Sequence, residues 1–201
     1  MPHGKRAVIL DAARDVFGER GINGTRMDDV ADRAGIARPN LYRYFPSKDE
    51  LIKRVVIAEV AKINAERRQR LPVEGSVREL IVESLAEGVE RTDRDMLLAV
   101  AFADDTVGVT AELVATDDQL LGVELEYWRP ILAHGRARGE IADHLSDEKI
   151  VRWFMTNHYF FMTSSTLFPA DLRPWISDFI VPAVLQHGDV PSGDNEQKDH
   201  P

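Results

Sequence analysis

The sequence predicts an all-α protein: a three-helix N-terminal domain carrying a helix-turn-helix, then a larger helical domain, about nine helices in all. Three observations lead there. Apolar residues recur at three- and four-residue spacing along most of the chain, without a convincing two-residue alternation. Gly21, Gly35, Pro46, Pro72, Gly75, Gly139 and Pro169 punctuate those runs. Between residues 25 and 51, two short helical runs flank Gly35, and the second is basic, polar and aromatic, as a helix that enters a DNA groove must be.

The first helix spans about Lys5 to Arg20, with Ile9, Ala13, Val16 and Phe17 on one stripe and Gly21 as its C-terminal cap. Met1 to Gly4 reads as a disordered arm, with Lys5 and Arg6 in reach of a DNA backbone. Met27, Val30, Ala31 and Ala34 keep helical spacing up to Gly35. A short helix follows from about Ala37, with Leu41 and Phe45 inward and Arg38, Asn40, Tyr42, Arg43 and Tyr44 on its other faces. Pro39 sits in its first turn, where a missing N–H costs nothing, and Pro46 stops it. Ser47 caps a fourth helix, with Glu50 completing a capping box. That helix continues to about Arg70, with an apolar seam through Leu51, Val55, Ala58 and Ile63 and a wet face of Glu59, Glu66, Arg67 and Arg68.

Beyond Pro72 and Gly75, Val77, Leu80, Ile81, Leu85 and Val89 make one amphipathic helix. Met96 to Ala103 is a short apolar helix, interrupted near Asp104, Asp105 and Gly108. Asp117 and Asp118 lead a helix to about Gly139, striped by Leu121, Leu125, Trp128 and Leu132. Asp147 to Phe168 is apolar on most sides, the pattern of a helix packed against both its own core and a partner subunit. Asp171 to Gln186 forms the last helix, and Gly188 to Pro201 reads as a disordered tail. The expected domains are residues 1–50, residues 51–187 and the tail 188–201.

Composition narrows the function classes. With 201 residues and 44% hydrophobic content, the chain can bury a substantial core. It has no cysteine, which excludes disulfides and thiolate metal sites. No apolar run approaches the ~18 residues of a membrane span and no signal-peptide core is present, so the expectation is a cytoplasmic protein without membrane contact. The net charge of -9 argues against nucleic acid until it is divided. Residues 1–70 hold 15 Lys and Arg against 10 Asp and Glu, a balance of +5; the remaining 10 and 24 give -14. A basic head on an acidic body concentrates phosphate attraction at the helix-turn-helix. The chain lacks GxSxG, P-loop, GxGxxG and HExxH patterns, and its 6 histidines show no metal-ligand spacing. Asp104, Asp105, Asp117 and Asp118 suggest solvated helix caps more than a cation site. An enzyme, a metal site and a cofactor are therefore not expected.

At Ala31, Ala34-Gly35-Ile36, Leu41-Tyr42-Arg43-Tyr44-Phe45 and Ser47-Lys48-Asp49-Glu50-Leu51, the sequence resembles the signature of the TetR family of bacterial transcriptional regulators. The resemblance covers roughly a quarter of the chain, and the LYxYFxSKxxL string makes it more specific than helix-turn-helix periodicity alone. Arg26 and Ala37 depart from it, standing where the family often has Ser or Thr, so weaker capping is expected there and Arg26 becomes a candidate phosphate contact. The resemblance implies a dimer that reads a palindromic operator, pairs through its last two helices in a four-helix bundle, represses transcription and responds to a small molecule. The fourth helix would link the two ends as a pendulum.

Arg38, Pro39, Asn40 and Arg43 are the candidates for base edges; Tyr42, Tyr44 and Lys48 are candidates for phosphates, although both tyrosines could instead pack the small domain. Leu41 and Phe45 are expected in its core. For a pocket that takes a hydrophobic or amphipathic effector, the candidates are Met96, Phe102, Glu124, Trp128, Trp153, Phe154, Asn157 and Phe161. Apolar members of that set are as readily plain core, and Glu124 and Asn157, set in apolar stripes, could be internally satisfied hydrogen-bonding groups. For Asn157 that role or a dimer contact is favoured, and His158 is expected to be packed or hydrogen-bonded. The competing reading is a DNA-binding regulator controlled by a protein partner, without a small-molecule effector.

Overall fold

The computed structural model describes residues 4–102 and 106–186. The expected arm at residues 1–3, the Asp104–Asp105 pair and the tail 188–201 lie outside the described residues. Among those described, the regular structure is helical: α1 Lys5–Gly24, α2 Met27–Arg33, α3 Arg38–Tyr44, α4 Lys48–Arg68, α5 Val77–Arg94, α6 Met96–Ala101, α7 Val107–Thr116, α8 Asp118–Ala137, α9 Asp147–Thr163 and α10 Arg173–Trp175. A β-bridge, Ile141 with Leu185, ties the chain after α10 to the loop after α8.

Helices α1–α3 and the start of α4 form the N-terminal head. Gly21, at φ 73°, breaks α1 where a C-terminal cap is expected, leaving one further turn to Gly24. Gly35, at φ 66°, turns the chain between α2 and α3, and the next N–H, of Ile36, reaches back to the Ala31 carbonyl at 3.0 Å. A side chain would strain that backbone although it would meet no neighbour. Arg26 offers α2 no side-chain acceptor, but Asp29 compensates: its carboxylate accepts the Arg26 backbone N–H at 2.8 Å. At α4, Ser47 Oγ accepts from the Glu50 N–H at 3.1 Å, whereas the Glu50 carboxylate accepts from Arg54 Nε at 2.7 Å rather than closing the box.

α4 leaves the head and runs through the body between α1, α6, α7 and α8. Its expected wet face is half wrong, because this helix has neighbours all round. Glu59 and Arg67 are buried, Glu59 against Arg14 at 2.7 Å and Arg67 against Glu87 at 3.2 Å. α5 packs close to α8 at Gly135, where a Cβ would stand 2.6 Å from Val77 Cγ2.

Three elements differ from their sequence expectation. Residues 107–116 read as an interruption but form α7. Val107, Val109, Thr110 and Val114 are weak helix formers, and contacts with α4, α8 and α9 override that weakness. α9 stops at Thr163, not Phe168. The Thr163 hydroxyl bonds back to the Tyr159 carbonyl at 2.9 Å, and a short 3-10 turn, Ser165–Leu167, follows. The expected regular helix from Asp171 to Gln186 is instead α10, a π turn at Ile176–Ile180 and a 3-10 turn at Val181–Ala183. Pro182 has no N–H to continue an α-ladder, and the Val181 N–H reaches five residues back to Ile176.

Candidate nucleic-acid interface and internal cavity

α3 is a seven-residue helix held by two side chains. Leu41 and Phe45 are both 0% exposed and anchor it to the core built from α1, α2 and α4. That leaves Arg38, Pro39, Asn40, Tyr42 and Arg43 exposed on the outside of the head. The Arg38 guanidinium is braced by Asp28, with Nε 2.9 Å from Oδ1, and lies 5.5 Å from the Tyr42 ring centroid. Such an exposed pair contributes little stability but narrows where the guanidinium points. Tyr44 is half-buried against the head's core, with Arg43 5.6 Å from its ring centroid. Lys48 is half-buried and donates to the Asn23 carbonyl at 3.3 Å, and Arg26 is exposed. The eight candidate DNA contacts thus share one side of the head, with Tyr44 and Lys48 the most embedded.

A second feature lies in the body: a cavity of about 70 Å³ enclosed by α4, α5, α6, α7, α8 and α9. Of the sequence candidates, the structure brings Phe102, Glu124, Trp128 and Phe154 to its wall. It does not bring the other four. Met96 is 67% exposed at the start of α6. Trp153 points toward the chain's end, its indole donating to the Ile180 carbonyl at 3.2 Å. Asn157 is buried and donates within its own helix to the Trp153 carbonyl at 2.7 Å. Phe161 packs on Phe168, with ring centroids 4.9 Å apart. The physical reason is helical phase: α9 turns Phe154 and His158 inward, and Trp153, Asn157 and Phe161 toward other neighbours.

The polar part of the cavity wall went largely unread in the sequence. Asn64 donates to Glu124 Oε1 at 3.0 Å and accepts from Arg67 Nη1 at 3.2 Å. Arg67 also donates to the Ser84 carbonyl and lies over the Tyr127 ring, 4.3 Å from its centroid. Burial raises the Glu124 pKa, against the Asn64 hydrogen bond and the Arg67 charge, which lower it. Burial and then the Arg67 charge push His158 down to about 4, so its ring is neutral at pH 7. His158 Nε2 sits 3.1 Å from Thr92 Oγ1. The signal for this cluster was present in Asn64 and Arg67, one helical turn apart on α4, but three-residue spacing alone does not distinguish a wet face from a cavity wall.

Head and body are joined by a charge cluster at the α7–α8 junction. Arg54 of α4 donates to Glu50 at 2.7 Å, to Asp117 at 2.9 Å and to Gln119 at 2.7 Å. Asp117 also caps α8, accepting from the Gln119 and Leu120 N–H groups at 2.9 and 3.2 Å. Burial disfavours both charges, and these hydrogen bonds more than offset it, lowering the Asp117 pKa and raising that of Arg54.

No group of three or more His, Cys, Asp or Glu suited to a metal ion occurs among the described residues. No described helix is long and apolar enough to cross a membrane.

Residues 9–55 match the family model described as bacterial regulatory proteins, tetR family. The chain is 39% identical over 83 residues to the HTH-type transcriptional regulator YezE of Bacillus subtilis, covering 41% of this chain and 43% of that one. It is 42% identical over 67 residues to the HTH-type transcriptional activator FasR of Mycolicibacterium smegmatis, covering 33% and 31%. The matched stretch thus spans less than half the length of these curated relatives. Among solved structures, that of RolR in complex with resorcinol superposes with a TM-score of 0.74 at 18% identity, covering 90% of this chain and 87% of the other. At that identity the likeness establishes the fold.

Proposed function

We propose, from the premise that the chain belongs to the TetR family of bacterial regulatory proteins, that it is a sequence-specific DNA-binding repressor, dimeric on a palindromic operator and released by a small effector held in the body. The observation that carries the reading is the split on α3. Leu41 and Phe45 are sealed inside, so Arg38, Asn40 and Arg43 are held on a rigid outward face, free to reach base edges. Tyr42, Tyr44, Lys48 and Arg26 flank it as phosphate contacts that set register. Residues 1–50 act as the reading domain and residues 51–187 as the effector and dimerisation domain.

A second copy supplies the second half-site. Phe160, Leu167, Trp175 and Phe179, 48%, 73%, 40% and 61% exposed, form an aromatic surface on α9 and the segments after it, suited to an isologous interface. In the effector domain, a ligand that fits the cavity in only one arrangement of α4 shifts the population of heads away from the operator by its differential affinity. α4 supports this role physically: it carries Asn64 and Arg67 at the cavity and Arg54 near the head on one continuous helix. The cavity favours small-molecule release over control by a partner protein alone. Resorcinol in the RolR complex and the activator name of FasR mark the two parts of the proposal, effector and sign of regulation, that need direct measurement.

Selection of bound sites from a random duplex library should yield a two-fold symmetric sequence with half-sites one helical turn or a multiple apart. Arg38→Ala should then relax discrimination at one base position by about 1–3 kcal/mol, whereas Lys48→Ala should weaken all sequences alike. Equal losses across every operator variant for both would overturn the division of roles. A monomer at micromolar concentration in ultracentrifugation would overturn the dimer.

A further inference from the structure

We infer that the cavity is built for a small, planar, uncharged ring bearing two hydrogen-bond donors, a dihydroxylated aromatic, rather than for an anion, a cation or a plain hydrocarbon. This rests on reading the cavity as an effector site and names the chemistry of its occupant.

The first acceptor is His158 Nδ1. Thr92 Oγ1 carries one hydrogen, and it lies 3.0 Å from the Gly88 carbonyl, which can only accept. The hydroxyl hydrogen is therefore committed to Gly88, and Oγ1 presents a lone pair to His158 Nε2 at 3.1 Å. A neutral imidazole satisfies that lone pair by carrying its hydrogen on Nε2, which leaves Nδ1 bare. Nδ1 has no hydrogen-bond partner among the described residues. It lies over Gly88, where a Cβ would stand only 3.5 Å away, so bare backbone keeps that edge open.

The second acceptor is the Glu124 carboxyl. Asn64 takes one oxygen at 3.0 Å and the Trp128 indole contributes a further hydrogen bond, leaving lone pairs toward the cavity. The space between the two acceptors is walled by rings: Trp128 and Phe154 stand 4.6 Å apart by centroid, and Phe102 faces His158 at 6.4 Å. A cavity of about 70 Å³ admits one small ring and no long chain without opening.

Charge excludes the competitors. An anion would meet the Glu124 carboxyl, and the Arg67 donors that might hold it are engaged by Glu87, Asn64 and the Ser84 carbonyl. A cation would meet the Arg67 guanidinium, which already occupies the nearby Tyr127 ring face. A hydrocarbon would desolvate both acceptors and return no donor.

Calorimetric titration of the full chain with phenol, the three dihydroxybenzenes, toluene, benzoate and benzylammonium tests this. At least one dihydroxybenzene should bind about tenfold or more tighter than toluene and than either ion, with phenol between, since each donor matched to a buried acceptor supplies a factor of that order. His158→Phe and Glu124→Leu should each cut that preference about tenfold and leave toluene unaffected. If a variant fails to fold, the ranking on the unaltered protein still decides. Toluene equal to the best dihydroxybenzene, an ion binding tightest, or no binding by any of the set overturns the inference. The effector reading is judged on a separate arm: a charged or non-hydroxylated probe that binds and weakens operator DNA would leave that reading intact while removing this one.

Discussion

Arg38 and Arg67, and Asn40 and Asn64, place the same two residue types under opposite solvation. On α3, the Arg38 side chain is 61% exposed and Asn40 faces solvent; at the cavity, the Arg67 side chain is 6% exposed and Asn64 is buried. An exposed guanidinium keeps its donors exchangeable, so a duplex can replace water around it at little structural cost. A buried one must be satisfied by the protein itself, and Arg67 is, by Glu87, Asn64, the Ser84 carbonyl and the Tyr127 ring. Identical chemistry therefore serves exchange at one end of the molecule and preorganisation at the other.

The largest effect that would sharpen the contrast lies inside the head. Phe45→Ala empties a fully buried ring site and should cost about 3–5 kcal/mol in denaturant unfolding, whereas Arg43→Ala on the same helix should stay within about 0.5 kcal/mol. Comparable losses for the two would mean that the exposed face is structural after all. Next is pH. His158 is held to about 4 in the folded chain against 6.5 unfolded, so the unfolded chain binds the extra proton. The stability associated with keeping this ring neutral is fully present above pH 6.5 and is lost as pH falls toward 4, by about 3 kcal/mol at most. Glu124, raised by burial, contributes in the opposite sense, losing stability as pH rises through its folded value, so the unaltered protein shows the sum. His158→Gln should flatten the acid limb of the stability curve; an unchanged limb would break the assignment of a buried neutral ring.

The smallest effect concerns the bridge between the two regions. Arg54→Ala removes a partly buried cluster and should cost about 1 kcal/mol of stability, discounted from fully buried pairs because the side chain keeps 17% of its surface. On the proposed mechanism it should also lessen the change in operator affinity caused by effector, while leaving effector binding itself nearly unaltered. Full coupling in that variant would move the mechanical link elsewhere on α4.

The head was legible because its determinants are local. A turn glycine at Gly35, a stop at Pro46, a cap at Ser47 and two inward side chains on one short helix fix α3 within about a dozen consecutive residues, and helical geometry alone decides what points outward. The cavity was legible only in part. Glu124 stood out as a polar intruder in an apolar stripe, and Phe102, Trp128 and Phe154 as aromatics of the right phase. Met96, Trp153, Asn157 and Phe161 look no different in sequence, yet the structure turns them elsewhere.

What the sequence determined by itself was the helical architecture, the reading helix and the charge division between head and body, since each follows from spacing and composition along the chain. Tertiary structure decided the rest: that weak helix formers at Val107–Thr116 close one wall, that the supposed wet face of α4 is buried at Glu59 and Arg67, and that Asn64, Glu124 and His158 converge. Those outcomes depend on which helices surround a given face, and residues from six helices separated by up to a hundred positions meet only once the core has closed.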